Sequence, residues 1–264
     1  MPLDPLLEGV LGILLPVLSG IVVGASLSLT GGGGSILAVP LLIYLIGIKD
    51  PHQAIGTSAL VVGAIAAASM INHRAQGNLR VREGLTFGIP GVAGTLIGSQ
   101  LGILTPSSEL LLLFAIFMIV MGYRVFTRKP KPAGTSWTVQ QATSGRRNLA
   151  VSGVLVGIAA GYFGIGGGFL IVPALMHSAG LDIVRAIGTS LLPVSMFGFS
   201  TGIRYTAEGQ ISWQVAIPFV AGGLAGAFVG TKLVMRIPQQ ALLRIFGLLM
   251  FAVAGYMIFR TVLG

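Results

Sequence analysis

Only a few side chains in these 264 residues can do chemistry, and their positions exclude most kinds of it. The seven acids are Asp4, Glu8, Asp50, Glu83, Glu109, Asp182 and Glu208, and each falls in a loop or at the end of an apolar segment. A carrier of divalent cations, or a proton pump built on buried carboxylates, needs acids at membrane depth. None is offered. His52, His73 and His177 show no HExxH-like ligand spacing, and no nucleophile–His–acid set points to an intramembrane hydrolase. Cysteine is absent, which removes disulfides, thiolate metal sites and thiol relays. The glycine runs lack the Gly-Lys-Ser/Thr ending of a nucleotide phosphate loop, which argues against ATP-driven transport by this chain alone. The expectation is a protein without enzymatic activity, cofactor or metal.

What remains is main chain. Gly31–Gly32–Gly33–Gly34–Ser35 and Gly164-Ile165-Gly166–Gly167–Gly168 each open a short apolar segment. A helix that starts inside the membrane leaves its first N–H groups unpaired and presents a positive dipole end. That is an anion site needing no charged side chain. The triplets Gly56-Thr57-Ser58 and Gly188-Thr189-Ser190 add hydroxyls near the starts of the following segments. The candidate substrate-binding residues are therefore Gly31, Gly32, Gly33, Gly34, Ser35, Thr57, Ser58, Gly166, Gly167, Gly168, Thr189 and Ser190, with Arg204 at the outer mouth. Breaks and triplets converging near the midplane would suit a small oxyanion such as sulfite or a sulfonate. Plainer roles compete. Glycines pack helices, Thr and Ser bond back to the preceding turn, and Arg204 can snorkel to the interface. His177, the repeat partner of Tyr44, reads as a packed histidine before it reads as a proton carrier.

These features occur twice. Gly20, Gly24, the first glycine run, Val39–Pro40 and Ala54-Ile55-Gly56-Thr57-Ser58 match Gly153, Gly157, the second run, Val172–Pro173 and Ala186-Ile187-Gly188-Thr189-Ser190. The offset is 133 residues before the second motif and 132 after it, and it continues through Gly77/Gly209, Gly94/Gly226, Gly98/Gly230 and Pro106/Pro238. A duplicated apolar chain with matching glycine breaks is the signature of a transporter built from two related halves.

The elements that must position these residues are membrane helices. The chain is 54% hydrophobic and 9% charged, with mean hydropathy +0.92, where soluble domains carry about a quarter charged residues. Ten apolar segments are expected, five per half, at about 9–30, 35–48, 53–73, 84–104, 107–126, 148–163, 168–181, 184–204, 212–234 and 238–262. The first is long enough to span, so it reads as a membrane helix rather than a cleaved signal. The second and seventh are short for a crossing and carry Pro40 and Pro173, so both read as broken hairpins. The fold class is all-α: a polytopic helical bundle of two inverted five-segment repeats, 1–126 and 148–264, joined by a basic cytoplasmic linker at 127–147. The net charge of +9 sits at segment ends, as the positive-inside rule places it, and does not indicate nucleic acid. Arg74, Arg80 and Arg82 of the first half face Thr206, Ser212 and Gln214 in the second, whereas Gln100, Leu104 and Leu112 become Lys232, Arg236 and Arg244. That swap predicts inverted halves with both termini outside. Gly94xxxGly98 and Gly226xxxGly230 permit close helix approach, within the monomer or across a homodimer seam.

At these motifs the chain resembles the TauE/SafE family of membrane proteins, described as sulfite exporters and probable anion transporters. The resemblance rests on Gly31-Gly-Gly-Gly-Ser-Ile-Leu-Ala-Val-Pro40, Ala54-Ile-Gly-Thr-Ser58, Gly161-Tyr-Phe-Gly-Ile-Gly-Gly-Gly168 with Pro173, and Ala186-Ile-Gly-Thr-Ser190. It implies movement of sulfite or organosulfonates such as sulfoacetate across the inner membrane, usually outward. Gly32 and Ser35 face Ile165 and Gly168 in the repeat, so the two half-sites are not equivalent. A passive anion channel and a non-transporting membrane scaffold are the alternatives.

Overall fold

The computed structural model describes residues 5–31, 33–126, 146–233, 248 and 251–257. Gly32, Arg236, Arg244, linker residues 127–145 and most of the tenth expected segment lie outside the described residues.

Every described element is helical. α1 spans Pro5–Thr30. A composite short helix follows: a 3-10 turn over Gly33–Leu37, α2 over Ala38–Pro40, and a π turn over Leu41–Leu45. α3 spans Pro51–Ala75, α4 Val81–Leu104, α5 Ser107–Phe126 and α6 Arg146–Phe163. The short α7 covers Gly168–Ser178, then α8 Ile183–Ala207 and α9 Trp213–Leu233. Five helices are long and apolar enough to cross a membrane: Gly9–Thr30, Pro51–Ala75, Val81–Leu104, Ile183–Ala207 and Trp213–Gly230. Their outward faces carry Ile13, Leu18, Ile89, Ile97, Ile217 and Phe228, all exposed, as a lipid-facing surface requires. This is an all-α membrane protein.

The first short helix is less regular than its sequence suggests. Pro40 has no N–H to donate. Beyond it the ladder widens, with Ile46 N bonding Leu41 O at 3.0 Å and Ile48 N bonding Leu42 O at 2.9 Å. Pro173 lies inside α7 without such a change. α6 runs unbroken to Phe163.

The two halves interlock. The most extensive pairings are α1 with α9, α4 with α6, and α3 with α8. The first two run parallel, and the glycines make their closeness possible. Gly226 lies on the Ile21 carbonyl and Gly230 on that of Ala25; Gly94 lies on Val154 O and Gly98 on Ile158 O. Each small-xxx-small pair thus packs helices inside the chain. α3 and α8 run antiparallel, with Gly56 against Tyr205, Gly63 against Gly198, and Gly202 against Leu60. These two helices form the buried centre, including Val62, Ile65, Val194 and Phe197 at 0% exposure.

Candidate functional site

The glycine runs break their helices through backbone conformation. Gly31 has φ +68°, and Gly164, Gly166 and Gly167 have +63°, +62° and +68°. A side chain in this region costs about 1–2 kcal/mol, so glycine alone holds it cheaply. Gly164 through Gly168 are all buried, as are Gly31, Gly34 and Ser35. α7 begins there with Gly167 as its N-cap and no side chain capping it. Its first internal bonds run from Leu170 N and Ile171 N to Gly167 O, at 2.9 and 3.0 Å. The amides ahead of them have no acceptor within the helix, as at any helix start. A buried, uncapped helix start of this kind attracts an anion.

The two breaks approach the centre from opposite ends of the α3–α8 pair. Gly31 lies against Ile187 and Ser190, near the start of α8; Gly164 lies against Ile55, near the start of α3. A Cβ on Gly166 would stand 3.1 Å from both Val62 Cγ1 and Val194 Cγ1, repeat partners at the middle of that pair. Gly34 turns back against Ser26 and Leu27 of α1, as Gly167 does against Ala160 of α6.

The Gly-Thr-Ser triplets do not converge. Because α3 and α8 are antiparallel, their starts lie at opposite ends. Thr57 Oγ1 accepts from Ser212 N at 3.0 Å, and Thr189 Oγ1 accepts from Arg80 N at 3.0 Å. Ser212 and Arg80 are themselves repeat partners, so each threonine anchors the loop that enters α9 or α4. Ser190 Oγ donates to Gly31 O at 2.6 Å and also lies 2.7 Å from Ile187 O. It joins the first break to the second half. Its counterpart Ser58 is fully buried, and its hydroxyl has no partner among the described residues. Arg204 is at the far end of α8, bonded to Glu208 Oε1 and Gln100 Oε1, both at 2.7 Å. His177 is exposed. No group of three or more metal-ligating side chains occurs among the described residues.

Sequence reasoning missed three features. Asp50 caps α3 by accepting from His52 N at 3.0 Å, and Asp182 caps α8 by accepting from Arg185 N at 3.3 Å. The signal was present as Asp-x-x-x-Ala-Ile-Gly-Thr-Ser in both halves. The third is a pair of buried polar side chains at matching positions, His73 and Tyr205, with no hydrogen-bond partner among the described residues for either polar end.

Comparison with known proteins agrees with this architecture. Residues 16–257 match the family described as Sulfite exporter TauE/SafE. The chain belongs to the TauE/SafE family. A probable membrane transporter protein of Xylella fastidiosa (strain 9a5c) is 42% identical over 247 residues, covering 92% of this chain and 94% of the relative. The probable membrane transporter protein YdhB of Bacillus subtilis is 28% identical over 236 residues, 87% of this chain and 93% of its own. One from Methanocaldococcus jannaschii, also described as a probable membrane transporter, is 28% identical over 261 residues, 90% and 96% of the two chains. Like them, this TauE/SafE protein is a membrane transporter and not an enzyme.

Proposed function

We propose that this protein is a secondary transporter of the inner membrane that moves small sulfur oxyanions, sulfite or organosulfonates such as sulfoacetate, outward by alternating access. The cargo sits between the breaks at 31–35 and 164–168. Main-chain amides and two helix N-terminal dipoles replace the water it leaves behind. The observation that carries this reading is the buried, uncapped start of α7 with Gly166 at the middle of the central helix pair. Ser58 adds a hydroxyl with no other partner.

The antiparallel α3 and α8 occupy equivalent places in the duplication, which supports halves of opposite orientation. With Arg74, Arg80 and Arg82 on the cytoplasmic side, both termini lie outside. Arg204 stands at the external end, where its pairing with Glu208 keeps that carboxylate from repelling an incoming anion. Rocking of one part against the other about the breaks alternates access. The family description favours sulfite over other oxyanions.

The test is flux of labelled sulfite and sulfoacetate in vesicles holding the purified protein. Saturable exchange supports the carrier; single-channel currents would replace it with a channel. Unchanged flux in the Gly33→Leu and Gly166→Leu double variant removes the site.

A further inference from the structure

We infer that His73 is the proton-binding site of this transporter, set beside the first glycine break so that a proton and the anion are taken up together. This rests on the anion reading above. Among the described residues, His73 is the one Asp, Glu, Lys, Arg or His that is buried, at 3% exposure. Its ring faces the Ser28 main chain, yet neither nitrogen closes a hydrogen bond of good geometry to any described residue. One turn earlier on α3, Ser69 Oγ lies 3.2 Å from Ser28 Oγ. Ser28 is three residues before Gly31, about 4.5 Å of helical rise. The polar group and the break are therefore neighbours.

The surroundings suit a cation without a carboxylate. α1 ends at Thr30 and α3 at Ala75, so His73 lies by the C-terminal, negative ends of two helices. The charged groups on the elements around this end are Arg74, Arg80 and Arg82, all exposed, the half-buried Glu83 in the first turn of α4, and the mutually paired Asp182 and Arg185 at the start of α8. Arg124 near the end of α5 and Lys232 near the end of α9 have side chains outside the described residues. No described charged group forms an ion pair with His73. An anion at the break stabilises the imidazolium, and the imidazolium stabilises the anion. By linkage each must raise the affinity for the other by the same factor. The proton comes from bulk water on the side open to His73 and returns to water on the other. The repeat partner Tyr205 is equally buried, with its hydroxyl unengaged. A phenol keeps its proton at physiological pH, so the opposite end offers no matching switch.

The experiment uses the full chain in vesicles and a panel of methanesulfonate, sulfite, sulfate, phosphate and acetate. Methanesulfonate stays ionised throughout, so any pH dependence with it belongs to the protein. A pH-sensitive dye reports proton movement, and thermal shift reports apparent Kd at pH 6 and pH 8. The wild type should bind about tenfold more tightly at pH 6, with protons moving alongside the anion. His73→Gln and His73→Tyr should lose both signals, with exchange reduced to the wild-type level at pH 8. His73→Tyr guards against misfolding, because Tyr205 already occupies the equivalent place. His177→Gln, at an exposed site, should behave as wild type. Retained proton movement and pH dependence in both His73 variants overturns the inference, as does a wild type that moves no proton with any panel anion. If acetate or phosphate moves protons through His73 while the sulfur anions do nothing, the sulfur assignment fails and this one stands.

Discussion

Replacing Gly166 by alanine separates a binding role for the break from a packing role. Gly166 holds φ +62°, which costs an L-residue about 1–2 kcal/mol. The new Cβ would stand 3.1 Å from Val62 Cγ1 and Val194 Cγ1, inside the usual contact distance of about 3.5–4.0 Å. The backbone term alone shifts the ratio of native to rearranged break by about 5–30-fold. Together with the crowding at Val62 and Val194, this should reduce flux in proteoliposomes. Thermal unfolding should fall modestly, at about 2–4 °C per kcal/mol for a chain of this size. Gly209→Ala is the control: φ +71° with nothing within 4 Å of a Cβ, in the turn between α8 and α9. It carries similar backbone strain without crowding, and its flux should survive. Equal flux in Gly166→Ala and Gly209→Ala, at matched thermal loss, would refute the reasoning.

Four further outcomes follow from the hydrogen bonds. Ser190→Ala removes the hydroxyl on Gly31 O and should cost about 1–3 kcal/mol in thermal or denaturant unfolding. Ser58→Ala removes a buried hydroxyl with no partner, so stability should hold while the anion Kd rises. Thr57→Val and Thr189→Val each strand one loop amide; each should destabilise by about 1–3 kcal/mol and leave the order of preference among anions unchanged. Arg204→Gln breaks a partly exposed pair, so stability should change by less than about 1 kcal/mol. Its anion uptake rate should fall at low salt and approach wild type at high salt.

The breaks and the membrane class were legible because they are local. Gly31 and Gly164–Gly168 announce left-handed backbone, and runs of about twenty apolar residues announce spans. The spacing of Gly226 and Gly230 told of a close contact but not of its partner, Ile21 and Ala25 of α1. Which helix meets which is a long-range fact that no window of sequence carries. The same gap separated the two triplets, because the antiparallel crossing of α3 and α8 decides where Thr57 and Thr189 sit. Pro40 was visible as a breaker, but the π turn at Leu41–Leu45 that absorbs it was not. Hydropathy cannot show that His73, in the last turn of α3, is buried.

Diffraction from crystals soaked in selenite would bear on the central claim most directly, since selenium marks the position of a sulfite-like anion by anomalous scattering. The account predicts a peak within hydrogen-bonding reach of the main-chain amides at Gly33–Ser35 or Gly166–Gly168, beside Val62 and Val194. A peak confined to Arg204, Arg80 or the outer surface, with the glycine breaks closed and empty at saturating selenite, would contradict it.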